Sequence, residues 1–131
     1  TQKPVKKQTK PFSSAVARAA VTASEDFNLK AIAVYTESGF SSGLVSANRP
    51  RAVIVALSRH PSVLRRSSIR WGVIPLLCDW KEDSDAMVAQ AEDLLQIHGI
   101  ARSGDGIALA FGLHRNDRLF QTDTLKLITV R

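Results

Sequence analysis

The chain alternates between short apolar runs and longer stretches that carry more polar residues. The apolar runs have the length of strands and lie at about residues 31–35, 52–57, 73–77, 107–111 and 125–130. The second run, AVIVAL, has no polar alternation, which is typical of a parallel strand covered on both faces. The last run partly alternates and is predicted to be an edge strand. The third contains Pro75, which predicts an edge strand or a short ladder.

The stretches between the runs predict helices at about residues 12–27, 42–48, 62–70 and 85–98. The candidate N-terminal caps are Ser13 or Ser14, Ser41 or Ser42, Ser58 or His60, and Asp83 or Ser84. This order of elements predicts an α/β fold, a three-layer sandwich with helices on both faces of a mostly parallel sheet of about five strands. The hairpin-length connection before the last strand predicts that this strand is antiparallel.

Composition is that of a globular protein, and the length indicates one folded domain. Of the net charge of +6, four charges lie in the first eleven residues, on Lys3, Lys6, Lys7 and Lys10. Without them, 14 basic residues face 12 acidic ones, a balance of +2. We therefore interpret residues 1–11 as a basic flexible lead or linker and 12–131 as the α/β domain. This uneven distribution argues against nucleic acid as a partner.

The sequence predicts a cytoplasmic protein without a membrane partner. No apolar run approaches the ~20 residues of a membrane helix. The basic N-terminus is not followed by the apolar segment of a signal peptide. A single cysteine, Cys78, excludes an internal disulfide and fits a reducing compartment. We interpret this cysteine as a small core residue.

The main candidate site is the turn after the first strand, which contains Thr36, Glu37, Ser38, Gly39, Phe40, Ser41 and Ser42. The turn leads into a helix, where four backbone N–H groups lack partners within the helix and partial positive charge gathers. Together with the hydroxyl groups, these N–H groups predict an anion site, for example one for a phosphate. The alternative is that Ser41 or Ser42 only caps the helix.

Motifs for metal binding and for nucleotide binding are missing from the sequence. His60, His98 and His114 lie far apart, and neither they nor Cys78 have the spacing of metal ligands. The glycine-rich motifs GxGxxG and GxxxxGK[ST] are also absent. The residues alone therefore indicate a binding or assembly module rather than an enzyme.

The stretch from residue 31 to residue 77 resembles the opening half of the C-terminal domain of pyruvate kinase. That family has T-x-S-G-x-[ST] after a strand and S-x-x-R-P before the next one. An N-P-x-x-x-R helix, an aromatic residue or Arg, and G-[VI]-x-P follow, and K-G-D precedes the fourth strand. The matching positions are Thr36, Ser38, Gly39 and Ser41; Ser46, Arg49 and Pro50; Pro61 and Arg65; Trp71, Gly72, Val73 and Pro75; and Gly104 and Asp105. The resemblance extends over about residues 12–131.

The resemblance implies a regulatory and oligomerisation domain. Pyruvate kinase transfers phosphate from phosphoenolpyruvate to ADP in glycolysis, with magnesium and potassium held in a barrel that this sequence lacks. The chain is therefore expected to have no cofactor, no catalytic residue and no activity of its own. The implied partners are further copies of the chain and a sugar-phosphate effector such as fructose 1,6-bisphosphate. By position, the turn at 36–42 would hold a phosphate with Trp80 nearby, and a loop containing His114, Arg115 and Arg118 would close over the sugar.

Departures from the family pattern lead us to expect weakened effector binding. Glu37 introduces a carboxylate into the phosphate turn, and its repulsion of an anion costs on the order of 1 kcal/mol. The segment at 118–123 lacks the family's glycines, and Met87 is the nearest counterpart of an arginine that holds a second phosphate in some members. The alternative hypothesis is a free-standing homologue that binds an anion or a partner protein without kinase activity.

Overall fold

A computed structural model describes residues 12–112 and 122–131 of the chain. In these residues the elements are α1 (Phe12–Asp26), β1 (Ala31–Tyr35), α2 (Phe40–Ala47), β2 (Val53–Ser58), α3 (Pro61–Ser67), β3 (Val73–Leu77), α4 (Ser84–Ile97), β4 (Gly106–Phe111) and β5 (Thr124–Thr129). The sheet has the strand order β3-β2-β1-β4-β5. β1 to β4 run parallel, and β5 is antiparallel to β4. The predicted fold class and the antiparallel last strand are confirmed.

The core lies on both faces of the sheet. On one face α4 contributes Met87, Ala91 and Leu95. On the other face α1 and α2 pack against the sheet through residues that include Ala20 and Val45. Burial from both sides explains why β1 and β2 lack polar alternation. None of the described helices is long and apolar enough to span a membrane.

β3 and β5 form the two edges of the sheet, as predicted. Ile54 donates its N–H to the carbonyl of Gly72, and Cys78 donates its N–H to the carbonyl of Ser58. The even-numbered residues of β3 therefore turn their backbone groups towards β2, and the odd-numbered ones towards the open edge. Pro75 lies at an odd-numbered position, where its missing N–H costs no bond of the ladder.

The predicted cap is right only for α4, where the Asp83 carboxylate accepts the Ala86 N–H at 2.8 Å. Ser13 lies inside α1, and its hydroxyl donates to the Thr122 carbonyl at 3.4 Å. His60 precedes α3 with extended backbone, but its side chain makes no cap bond. These serine and histidine predictions were wrong because the side chains bond elsewhere. Ser13 and His60 reach distant segments that the local sequence does not reveal, whereas Ser58 accepts the His60 N–H before α3 begins.

Candidate functional site

The turn that the sequence singles out lies at the carboxyl end of β1, beside the carboxyl end of β2. Thr36, the first residue after β1, donates its N–H to the Leu57 carbonyl at 2.9 Å, which fixes the turn against β2. α2 begins four residues later, at Phe40. Because neighbouring strands run parallel, their carboxyl ends meet at this edge, where open α/β sheets bind ligands.

Two hydroxyl groups of the turn cap the beginning of α2. The Thr36 Oγ1 atom accepts the Gly39 N–H at 2.8 Å, and the Ser38 Oγ atom accepts the Phe40 N–H at 3.3 Å. These are the first two of the four N–H groups that have no partner within a helix. Thr36 and Ser38 therefore cap α2. The alternative prediction that Ser41 or Ser42 caps the helix is wrong, because both residues lie inside α2.

Ser41 and Ser42 carry the other two N–H groups of this first turn. No acceptor for either group lies among the described residues. The partial positive charge of the helix start gathers on such groups. An anion bound there would accept both hydrogen bonds.

Gly39 joins the turn to α2 with a left-handed backbone, φ 89° and ψ −2°. Glycine adopts this conformation without steric cost, whereas other residues rarely do. A Cβ atom at this position would lie 3.6 Å from Val63 Cγ1 and 3.7 Å from Ser67 Oγ. The turn is thus backed directly by α3.

The hydroxyl groups of Ser41 and Ser42 are buried and bonded within the protein. Ser41 shares a 2.6 Å hydrogen bond with the Thr122 hydroxyl, and Ser42 donates to the Gly39 carbonyl at 3.1 Å. Residues 39–43 read GFSSG, which has the form GxSxG of a nucleophilic serine motif. Since neither hydroxyl contacts a histidine among the described residues, the geometry does not support a nucleophile.

Glu37 directs its carboxylate towards the turn between β2 and α3. Its Oε1 atom lies 3.2 Å from Arg59 Nε, and its Oε2 atom lies 2.6 Å from His60 Nε2. Only 22% of the Glu37 side chain is exposed. The arginine thus offsets the negative charge that the sequence predicts in the phosphate turn, so the expected repulsion is reduced.

Trp80 borders the same region, on the side of Arg59. The Arg59 guanidinium lies over the Trp80 ring, 4.6 Å from its centroid, in cation–π geometry. Trp80, Thr36 and Glu37 all line one small cavity of about 10 Å³, the size of a single water site. The arginine between Glu37 and Trp80 therefore links the carboxylate to the aromatic ring.

Tyr35 and Cys78 also line this cavity. The Tyr35 hydroxyl donates to the Met87 carbonyl at 2.8 Å and accepts from Gln90 at 2.9 Å. Burial raises the pKa of Tyr35 above its ordinary value, against the effect of the Gln90 hydrogen bond. Burial also raises the pKa of Cys78 to about 11, with a further contribution from nearby carboxylates. The half-buried thiol therefore stays protonated at neutral pH, as befits the structural cysteine that the sequence predicts.

The loop predicted to close over the sugar contains three of the predicted site residues. His114, Arg115 and Arg118 lie outside the described residues, so their assignment to the site stays a prediction. Among the residues that the structure does describe, no cluster of histidine, cysteine and acidic side chains could hold a metal ion.

Sequence reasoning missed Arg59 and Thr122, which contact residues of the turn. Arg66 donates to the Ser38 carbonyl at 3.3 Å. For Arg59 a signal existed, since it directly follows β2 and parallel strands end side by side. For Thr122, which reaches Ser41 across 81 positions of sequence, there was no local signal.

Comparison with known proteins identifies the family. The family model described as the alpha/beta domain of pyruvate kinase matches residues 14–128. The chain belongs to this family. The strand–turn–helix unit described above is therefore part of a pyruvate kinase alpha/beta domain.

Whole pyruvate kinases show the same similarity. The enzyme of Lactococcus lactis subsp. lactis is 34% identical over 116 residues, which are 88% of this chain and 23% of that protein. Pyruvate kinase of Clostridium acetobutylicum is 28% identical over 83% of the chain and 23% of its own length. Pyruvate kinase of Chlamydia pneumoniae is 38% identical over 62% of the chain and 16% of its own length. The chain thus spans less than a quarter of the curated relatives it matches.

Proposed function

We propose that the chain is the domain through which a pyruvate kinase assembles its subunits and binds a sugar-phosphate effector, such as fructose 1,6-bisphosphate. The observation that carries the proposal is the pair of N–H groups at Ser41 and Ser42, without described acceptors, in a chain of this family. Phosphate transfer from phosphoenolpyruvate to ADP, with magnesium and potassium, would belong to other parts of a longer protein.

The environment of Glu37 supports binding at this turn. A free carboxylate beside the first turn of α2 would repel a phosphate. Here the carboxylate is held by Arg59 and His60, on the side of the β2–α3 turn. The N–H groups of Ser41 and Ser42 therefore keep their attraction for an anion.

Calorimetric titration of the 131-residue chain with fructose 1,6-bisphosphate tests the effector site. We expect saturable binding by the natural chain and by a Glu37→Lys variant, which adds a positive charge at the turn. Binding by the variant alone would mean that Glu37 has abolished the effector role and left assembly. The absence of binding by both chains would contradict the effector proposal.

The edge strand β5 supports the assembly role. Val130 donates its N–H to the Asp105 carbonyl, and Ile128 pairs with Ile107, so even-numbered residues of β5 face β4. The N–H groups of Leu125, Leu127 and Thr129 therefore point to the open edge, where a second strand can pair. Leu127 is also 46% exposed, which adds apolar surface to that edge.

A proline substitution in β5 tests assembly through this edge. Leu127→Pro removes an outward N–H group without breaking the ladder to β4 and should lower the molar mass measured by light scattering to that of a monomer. Leu127→Thr keeps the N–H group and, like proline, shortens the side chain, so it serves as the matched control. Equal oligomeric states of the two variants would rule out pairing through β5.

Two further expectations follow from the proposal. The 131-residue chain alone should not turn over phosphoenolpyruvate and ADP, and measurable pyruvate formation would contradict this. A cytoplasmic location stays a prediction, which fractionation of cells producing the native protein would test.

A further inference from the structure

We propose that Arg66 and Ser67, neighbours on α3, complete the anion site at the beginning of α2. Arg66 would bind the phosphate directly and supply the positive charge that the turn lacks, while the Ser67 hydroxyl would bond to the occupied turn. This inference rests on the proposed effector site and names one ligand-binding residue, Arg66, and one positioning residue, Ser67, for it.

Arg66 already reaches the turn. Its Nη2 atom donates to the Ser38 carbonyl at 3.3 Å, although the two residues lie 28 positions apart. A guanidinium has five N–H donors in a planar fork that suits phosphate oxygens. The contact with Ser38 uses one of them, so donors remain for a phosphate at the first turn of α2.

No carboxylate competes for Arg66 among the described residues. Arg51 pairs with Glu25, and Arg59 pairs with Glu37, but Arg66 takes part in no described ion pair. From residue 38 to residue 78 the chain has six arginines and no aspartate or glutamate. An anion that approaches α2 and α3 therefore meets mainly positive charge, since the neighbouring Glu37 carboxylate is paired with Arg59, and this raises the local anion concentration.

Ser67 adds an independent observation from behind the turn. It is fully buried, and its Oγ atom has no hydrogen-bond partner among the described residues. The same atom lies 3.7 Å from the position that a Cβ on Gly39 would take. Buried hydroxyl groups are rarely left unpaired, and those that are call for an explanation in function. A turn that shifts slightly around a phosphate would give this hydroxyl its missing partner.

The test is titration of the full 131-residue chain with inorganic phosphate and with fructose 1,6-bisphosphate. Arg66→Ala should weaken both affinities about tenfold or more, because hydrogen bonds to charged groups are the strong ones. Arg65→Ala is the matched control: it removes the same charge from the adjacent position, which makes no described contact with the turn. We expect it to change affinity by less than about threefold, the part due to the general field.

Ser67→Ala separates ligand binding from structure. A hydroxyl used only for the bound anion predicts lower affinity with unchanged or higher thermal stability of the free chain. A merely structural hydroxyl would instead lower stability and leave affinity unchanged, which would overturn the role of Ser67. Equal affinities of Arg66→Ala and Arg65→Ala would overturn the role of Arg66 while leaving the effector site intact. If the natural chain binds neither ligand, the effector site and this inference fail together.

Discussion

Ser67 is the residue whose side chain fits its surroundings least well in the free protein. Its hydroxyl is buried without a described partner, and such a group costs about 1–3 kcal/mol of stability. Ser67→Ala should therefore raise the free energy of unfolding by about 1 kcal/mol. Denaturant titration measures this change.

Ser46→Ala is the control for that substitution, because Ser46 is also a buried helical serine but donates to the Trp71 carbonyl at 2.7 Å. The gain in helix propensity is common to both variants. We expect Ser46→Ala to destabilise the fold, and equal effects at the two sites would show that Ser67 has a partner after all.

Cys78 and Tyr35 give the fold a dependence on alkaline pH. Each ionises to an anion, and burial raises both pKa values in the folded state, that of Cys78 from 9.0 to about 11. Between these two values the folded chain holds more protons than the unfolded chain, so stability is full below pH 9 and falls as pH rises. Unfolding titrations from pH 8 to pH 11 should show this loss, with a smaller slope for Cys78→Ala. An identical slope for the natural chain and Cys78→Ala would show that groups other than Cys78 cause the loss of stability.

At this scale the sequence was informative about residue types and poor about side-chain partners. The hydroxyl-rich turn and its placement after a strand could be predicted from the pattern around Thr36 to Ser42. That Glu37 bonds Arg59 and His60 depends on the register of β1 against β2 and on two rotamers, neither of which hydrophobic patterning specifies.

At the scale of elements, the junction between β1 and α2 depends on Gly39. A side chain in the left-handed region costs about 1–2 kcal/mol, and here a Cβ would make only ordinary contacts. Gly39→Ala should therefore lower stability by that amount and also weaken phosphate binding, because the strained turn carries the N–H groups. Gly104→Ala has the same left-handed strain in open space, so it should cost stability alone. Thermal unfolding and calorimetry on the same samples make the comparison.

The helices and strands themselves were largely predictable. Unbroken apolar runs predicted the buried strands, because helices cover both faces of β1 and β2. The end of α3 was harder to predict, because the helix ends at Ser67, three residues before the predicted end. The arginines there carry no apolar periodicity that could show where the helix stops, and only Gly72, with φ 66°, gave a signal.

At the scale of the whole molecule, general rules predicted a mostly parallel sheet, and the structure adds its strand order, which the sequence analysis did not predict. The connections after β1 and β2 extend the sheet in one direction, and the connection through α4 returns to the other side of β1. The charge distribution did not follow from such rules. Residues 38–78 carry six basic and no acidic residues, whereas residues 79–97 carry six acidic residues and one lysine. The net charge of the whole chain does not reveal this division, and the proposed anion site lies on the basic part.

If copies of the chain assemble through their sheets, the proline in β3 would limit how far that assembly grows. If two copies pair through β5, they form one sheet of ten strands, five from each copy, with β3 at both outer ends. Each outer end then presents Pro75 where the next chain would need an N–H donor, so addition stops at two copies. Pro75→Val should permit further growth into fibres at high concentration, visible by light scattering. Pro75 would thus act as a chain terminator in the polymer sense, because it would limit assembly through β5 to a pair of copies.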